Sequence, residues 1–162
     1  MKRLPPHLII RLISYWPPYL AAGIKVIHVD ESMLSITTRL KQYPWNTNYF
    51  GTHFGGSLYA MCDPFYVFLL AHHLQHDFII WDKAAEINFI KAVATPVTAT
   101  FQITPDTLTE ARNKTLKNFS ITLPFVTQIV SSQGDIIAAV KKTIYIRRKD
   151  AKSRFTNPNK QK

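Results

Sequence analysis

A glycine pair comes directly before the most apolar segment of the sequence. Gly55 and Gly56 precede residues 57–75, SLYAMCDPFYVFLLAHHLQ, which are apolar on nearly every side. Glycines allow a tight turn, and the first turn of a helix has backbone N–H groups without an intrahelical partner. Such groups bind a carboxylate, a phosphate or a developing oxyanion. The pair is therefore a candidate anion-binding turn.

Asp63 lies within this apolar segment, about two helical turns beyond the glycine pair. A carboxylate in an apolar helix is costly unless it is paired, hydrogen-bonded or protonated. Pro64 removes the amide that would bond to the carbonyl of Ala60, which predicts a kink beside the carboxylate. Asp63 is a candidate functional residue, with a structural carboxylate bonded to loop amides as the alternative.

The rest of the chain predicts the elements that must position these residues. A helix that is apolar all round must be buried all round, and Ser57 is its predicted cap. Pro124 within a strand predicts an edge position or a bulge. A shorter helix is predicted from Thr104 to about Asn118. Alternating apolar residues predict two strands within 24–41 and four more at 78–91, 97–103, 119–130 and 135–148.

Only a curved sheet covers most sides of one helix, so the sequence predicts an α+β domain of about six antiparallel strands around a long central helix. The chain has 162 residues, of which 46% are hydrophobic and 19% charged, enough for one packed core. We expect one domain at residues 1–148 and a basic, flexible tail at 149–162. A sheet with one face on a helix leaves its other face or an edge for a partner, which favours a homodimer or tetramer.

The charge is concentrated at the end of the chain. The net charge is +10, and residues 147–162 contain seven basic residues and one acidic. The remaining residues are only mildly basic, which argues against a dedicated nucleic-acid surface; nucleic-acid binding through the tail is the weakest hypothesis. A single cysteine excludes an internal disulfide and fits a reducing compartment, so we expect a cytoplasmic protein.

The N-terminal residues predict a short amphipathic helix. Leu4, Leu8, Leu12 and Trp16 recur at four-residue spacing, flanked by basic residues that include Arg11. This pattern leaves peripheral membrane contact open. No apolar run approaches the length needed to span a bilayer.

The pattern Asn48-x-x-Gly51-x-x-x-Gly55-Gly56-x6-Asp63 resembles that of hotdog-fold acyl-CoA thioesterases, particularly the phenylacetate-pathway type. Three stretches resemble an uncharacterised, domain-of-unknown-function branch of that superfamily. They are WPPYLAAGIKV (16–26), NYFGTHFGGSLYAMCDP (48–64) and WDKAAEINFIKA (81–92). The resemblance covers most of residues 10–148.

The resemblance implies hydrolysis of an acyl thioester, carried by coenzyme A or an acyl-carrier protein, without a cofactor or metal. It assigns Asp63 as general base or nucleophile, and the amides of Gly55 and Gly56 as the oxyanion site. Asn48 would hold the loop or touch substrate. The site would lie between two subunits.

One residue departs from this pattern. Related thioesterases usually carry His directly before the glycine pair, whereas this chain has Phe54 there and His53 one residue earlier. Both residues are candidate substrate contacts. The departure leaves open a non-catalytic acyl- or lipid-binding protein, and His53-Phe54 also resembles a motif of hydroxyacyl thioester dehydratases, although the following proline is missing.

Three further groups have alternatives of their own. Glu86 is predicted to share a strand face with Asp82, where it could be a second carboxylate of the site. His72 and His76 have the spacing of a metal-binding pair, but a favourable helix dipole explains them more simply. Cys62 is interpreted as a small buried hydrophobe rather than a nucleophile.

Overall fold

The computed structural model describes residues 5–150, except for the side chain of Gln75. The helices are α1 (Pro6–Leu12), α2 (Pro17–Ala22), α3 (Gly55–Ala60), α4 (Phe65–Leu74) and α5 (Pro105–Lys117), with 3-10 turns at Ile13–Tyr15 and Gln75–Asp77. The strands are β1 (Ile24–Val29), β2 (Ser35–Leu40), β3 (Phe78–Phe89), β4 (Val97–Gln102), β5 (Ile121–Ser131) and β6 (Ile136–Arg148).

All six strands form one curved antiparallel sheet, in the order β1-β2-β4-β5-β6-β3. The sheet wraps α4 as the sequence predicts. The mostly apolar composition of this helix fits its enclosed position. Its buried side chains are Phe65, Tyr66, Leu69, Leu70 and Leu74. Phe65 stacks on Phe101 of β4, which joins the helix to the middle of the sheet.

The apolar segment forms two helices rather than one uninterrupted helix. α3 ends at Ala60, α4 begins at Phe65, and residues 61–64 form the turn between them. Pro64 has no amide to continue the α-helical bonding pattern, so the interruption lies where the sequence predicts a kink. The predicted cap is wrong: α3 already begins at Gly55, and Ser57 lies buried inside its first turn.

The smaller helix and the strand proline agree with their sequence patterns. Thr104 caps α5 by accepting a hydrogen bond from the backbone N–H of Thr107 at 3.2 Å. Pro124 pairs with Thr143 of β6, whereas β4 pairs with β5 only over residues 129–131. Pro124 therefore lies where the other side of β5 has no paired strand, as expected for a residue without an amide hydrogen.

A bulge in β3 changes which of its residues face the helices. Asp82 lies opposite Ile144, but Ala85 lies opposite Lys142, so β3 uses three residue steps where β6 uses two. Lys83 is the inserted residue, which explains a lysine that interrupts the strand's alternation. Because side chains alternate along a strand, the faces of β3 exchange on passing this point.

The N-terminal segment forms the expected short helix, α1, whose side chains are exposed or half-buried. Leu4 and the tail residues 151–162 lie outside the described part of the chain, so the predicted tail stays a prediction. Between residues 5 and 150, no helix is long and apolar enough to cross a membrane.

Candidate functional site

The loop before α3 is organised by Asn48. Its side-chain oxygen accepts hydrogen bonds from the backbone N–H groups of Phe50 (2.9 Å) and Thr52 (3.0 Å). Its side-chain nitrogen donates to the Thr52 hydroxyl (2.9 Å) and the His53 carbonyl (3.1 Å). Gly51 permits this turn with a φ of 80°. These bonds hold the loop, as one of the two roles expected for Asn48 requires, and its contact with substrate stays a prediction.

His53 fastens the same loop to the chain that follows β3. Its backbone N–H bonds to the Val93 carbonyl at 3.0 Å, and its ring Nε2 lies 2.8 Å from the Thr95 carbonyl. A carbonyl only accepts, so this geometry assigns the ring proton to Nε2. Nδ1 is buried without a hydrogen-bond partner. His53 is only 4% exposed and acts as an anchor within this chain.

The glycine pair opens α3 between two phenyl rings. A Cβ at Gly56 would lie 2.4 Å from the Phe54 ring, and a Cβ at Gly55 would lie 3.1 Å from the Phe89 ring. With glycine at both positions the two rings approach the backbone closely, and a side chain at Gly56 would require the Phe54 ring to move. Both rings are exposed, Phe54 at 57% and Phe89 at 54%.

A small cavity lies beside this helix start. Its volume is about 280 Å³, near the lower end of ligand pockets. Three of the predicted site residues line it. They are Asn48, His53 and Gly55. The remaining lining combines Thr52 and Leu58 with Phe89 and the residues that follow it, so the cavity joins the loop to the end of β3.

Asp63 lies in the turn between α3 and α4, and its backbone is fixed from two sides. The buried Tyr19 hydroxyl donates to the Asp63 carbonyl. Thr38 of β2 donates to the Met61 carbonyl at 3.0 Å. These bonds satisfy carbonyls that the interrupted helix leaves free. The Asp63 side chain remains 45% exposed, so its carboxylate is fixed at its base and accessible at its tip.

Lys142 of β6 reaches this carboxylate from the core. Its ammonium nitrogen lies 2.9 Å from Asp63 Oδ1 and 3.0 Å from Asp82 Oδ2. The ammonium group also donates to the Tyr59 hydroxyl at 3.3 Å and lies 5.1 Å from the centre of that ring. Its side chain is only 1% exposed, and Asp82 is 22% exposed. A buried ammonium requires such partners.

The two carboxyl groups of this cluster have opposite pKa shifts. Burial raises the pKa of Asp63, but hydrogen bonds with Asp82 and Lys142, together with the lysine's charge, outweigh it and leave that pKa below its usual value. Burial and the hydrogen bond with Asp63 raise the pKa of Asp82 to about 6. Bonds to both carboxylates outweigh burial and raise the pKa of Lys142. Asp63 and Lys142 are therefore charged at neutral pH.

Glu86 does not join this cluster. It lies opposite Lys141, an exposed residue on the outer face of the sheet, whereas Asp82 faces the helices. The predicted shared face of Asp82 and Glu86 is wrong, because the bulge at Lys83 exchanges the faces between them. Within one chain the second carboxylate near Asp63 is Asp82.

The cysteine and histidine alternatives gain no support. Cys62 is buried, and burial raises the pKa of its thiol to about 12, so it is not a thiolate at neutral pH. His73 points its Nε2 to the Met33 carbonyl at 3.0 Å. Across the described residues, no three His, Cys, Asp or Glu side chains come together as a metal site.

Lys142 is the residue that the sequence interpretation missed. The signal was available, because Val140, Lys142 and Ile144 alternate onto one otherwise apolar strand face. A lysine in such a position needs an acidic partner. The role of Asp82 was hidden for a different reason, since a one-residue bulge leaves no clear pattern in the sequence.

Solved structures share this architecture over nearly their whole length. A Pseudomonas aeruginosa protein of unknown function, called a probable thioesterase, has a TM-score of 0.77 at 14% identity, covering 90% of this chain and 97% of that one. A Haemophilus influenzae thioesterase has a TM-score of 0.64 at 12% identity, covering 91% and 93%. A variant Pseudomonas aeruginosa thioesterase has a TM-score of 0.66 at 11% identity, covering 91% and 97%.

At these identities the likeness concerns the fold, which is the hotdog fold that the sequence resemblance implies. No curated protein matches the sequence. The family called domain of unknown function DUF4442 matches residues 7–146, nearly all of the domain. The chain belongs to the DUF4442 family, and its fold is the hotdog fold.

Proposed function

We propose that this protein hydrolyses acyl thioesters, with Asp63 as the general base. The observation that carries the proposal is an ionised, partly exposed carboxylate, fixed at the interruption of the central helix by a buried lysine. Its fold neighbours include proteins called thioesterases. The substrate class is an acyl thioester of coenzyme A or an acyl-carrier protein, with no cofactor required.

In the proposed reaction, Asp63 accepts a proton from water while the water oxygen bonds to the thioester carbon. The carbonyl electron pair moves to its oxygen, which accepts hydrogen bonds from the N–H groups of Gly55 and Gly56. Collapse of this intermediate breaks the C–S bond, and the leaving thiolate takes the proton from Asp63. The products are a carboxylic acid and a free thiol. Asn48 and His53 support this chemistry by holding the loop before the glycine pair.

The length of α3 favours a site built from two copies of the chain. The glycine amides begin this six-residue helix, which is about 9 Å long, and Asp63 lies three residues beyond its end. One reacting carbonyl needs its oxyanion donors and its base each within hydrogen-bond reach. The glycine pair of one copy therefore acts with the Asp63 of another.

Strand β3 is the proposed contact between the copies. It is an end strand of the sheet, twelve residues long and largely exposed. Phe89 lies against Gly55 at one end of β3, and Asp82, nearer the other end, bonds to Lys142 of the Asp63 cluster. Antiparallel pairing of two β3 strands places the Asp63 end of one copy beside the glycine end of the other.

Thiol release from acyl-CoA esters of varied chain length, with aryl esters included, tests the activity. Asp63→Asn is expected to lower kcat by about 10²–10⁴, the usual contribution of a general base. Asp106→Asn is the matched control, because that carboxylate is exposed on α5. Unchanged turnover by Asp63→Asn overturns the assignment of the base.

Complementation tests the shared site. Gly55→Pro removes one proposed oxyanion donor while keeping a residue that the first helical position tolerates. Separately inactive Asp63→Asn and Gly55→Pro chains, co-expressed, are expected to recover up to about a quarter of wild-type activity through mixed dimers with one intact site. If the activity of the co-expressed chains stays at the level of the separate variants, the site is not shared.

A non-catalytic acyl-binding protein is the second candidate, and the position of Phe54 favours it. The ring lies against Gly56, where related thioesterases carry histidine, and it contributes apolar surface at the proposed oxyanion turn. This function predicts no thiol release from any ester, together with saturable binding of a non-hydrolysable acyl-CoA thioether in calorimetry.

A further inference from the structure

The cluster of Asp63, Lys142 and Asp82 contains a second carboxyl group, which is not needed to hold a general base in place. Lys142 alone would hold Asp63 in place, yet its ammonium is shared with a second carboxyl group at nearly the same distance, 3.0 Å against 2.9 Å. Asp82 is the less exposed of the two carboxyl groups, and its Oδ1 is buried without a hydrogen-bond partner. The bulge at Lys83 is what places Asp82 on the helix face directly before the faces exchange.

We propose that Asp82 is a positioning residue that sets the basicity of Asp63 through their shared lysine. This inference rests on the proposed function. When Asp82 is ionised, it competes with Asp63 for the Lys142 ammonium and adds a nearby negative charge, so Asp63 holds a proton more strongly. When Asp82 is protonated, its hydroxyl donates to Asp63 and the ammonium serves Asp63 alone, so Asp63 is a weaker base.

Among the neighbouring groups whose pKa is shifted, Asp82 is the one that changes charge near neutral pH. The other titratable side chains around the two carboxyl groups come from three helical or turn segments and β6. They are Tyr19 of α2, Tyr59 of α3, Cys62 of the turn and Lys142 of β6. Burial raises the pKa of Tyr19 and of Cys62, and Lys142 stays protonated. Asp82 has its pKa at about 6.

Two variants are expected to change the pH dependence in different ways. Asp82→Asn keeps the shape of the side chain and donates to Asp63 as the protonated acid does. Its kcat at pH 8 is therefore expected to fall to the low-pH level of the wild type, and the rise with pH near 6 to disappear. Lys142→Met leaves two adjacent carboxylates without a cation, which raises the pKa of one of them. The rise of kcat is therefore expected to move to higher pH. Asp106→Asn and Lys141→Met are the exposed controls.

The experiment combines kcat against pH with ¹³C NMR titration of the aspartate carboxyl carbons in each folded variant. The expected result is an NMR transition of Asp82 that coincides with the rise in kcat and is lost in Asp82→Asn. A kcat profile with an unchanged midpoint in both variants, or an Asp82 carboxyl that titrates near 4 in the wild type, overturns the proposal while leaving thioester hydrolysis standing. If the wild type hydrolyses no thioester, the proposed function fails. The NMR titration then still decides whether Asp63 and Asp82 titrate as a pair linked by Lys142. If Lys142→Met does not fold, the kcat profile and NMR titration of Asp82→Asn decide the proposal.

Discussion

Lys142 and Asp82 form an ion pair that crosses diagonally between two neighbouring strands. The ammonium of Lys142 lies 3.0 Å from Asp82 Oδ2, although the register places Asp82 opposite Ile144. The same nitrogen bonds to Asp63 in the turn between α3 and α4. One buried cation thus ties β6, the last strand in the chain, to the interruption of the central helix.

Removing this cation is expected to destabilise the protein. Lys142→Met leaves two carboxylates without their partner and is expected to lower the free energy of unfolding by about 3 kcal/mol. Lys141→Met, one residue away on the exposed face, is the control and is expected to change stability by less than about 0.5 kcal/mol. Urea denaturation at pH 7.5 measures both. Equal losses in the two variants contradict a structural role for the cluster.

The raised pKa of Asp82 predicts a pH-dependent effect on stability. In the unfolded chain this carboxyl has its ordinary pKa of 3.8, whereas in the folded chain its pKa is about 6. Between these values the folded state binds more protons, so the contribution of Asp82 to stability falls as pH rises through this window. Asp82→Asn lacks this titration. Its stability relative to the wild type is therefore expected to be better at pH 7.5 than at pH 4.5, as measured by urea denaturation. The same difference at both pH values would count against the shift.

The contact between Phe54 and Gly56 predicts non-additive substitutions. Gly56→Ala places a methyl group 2.4 Å from the Phe54 ring, so the ring must move. We expect Gly56→Ala to be less favourable by about 1 kcal/mol in the wild type than in a Phe54→Ala background, because the clash is absent there. Thermal denaturation of the two single variants and the double variant completes the cycle. Additive effects would show that the ring does not determine the need for glycine.

The side-chain hydrogen bonds of Asn48 predict that its substitution disorders the loop before α3. Asn48→Ala removes four side-chain hydrogen bonds from the loop and is expected to lower stability by about 2 kcal/mol. Hydrogen exchange at the amides of Phe50 and Thr52 is expected to accelerate. Exchange in β6 is expected to change only as far as the global stability changes. Asn113→Ala, exposed on α5, is the control. Unchanged exchange at Thr52 would contradict the role of Asn48.

Much of the architecture could be predicted because its signals are periodic. Alternation in the strands and the all-round apolar composition of residues 57–75 indicate a sheet wrapped around a helix, and both are found. The division at Pro64 is also predicted in position, since a proline lacks the amide that continues a helix. The start of α3 at Gly55 was missed because Phe54, which precedes it, makes no side-chain cap bond.

The candidate site was less accessible to sequence reasoning. The glycine pair could be selected from the residues themselves, and Asn48 and His53 through the family resemblance. The structure brings Asn48, His53 and Gly55 together around one cavity. The partners of Asp63 could not be selected, since Lys142 lies 79 residues away and reaches it only through the pairing of β6 with β3. Non-local contacts of this kind depend on strand register, which the local pattern does not determine.

The bulge at Lys83 adds one residue to strand β3 and so reverses the face on which each later residue lies. Before it, even-numbered residues face the helices; after it, odd-numbered residues do, so Ile87 and Phe89 face inward only because Lys83 is present. Deleting that one residue would shift the phase of everything downstream, bringing Glu86 and Asn88 into the core and turning Phe89 away from the glycine pair. An alignment of this chain with relatives that lack the bulge must therefore open a gap at Lys83, or it will compare inward residues with outward ones over the rest of β3.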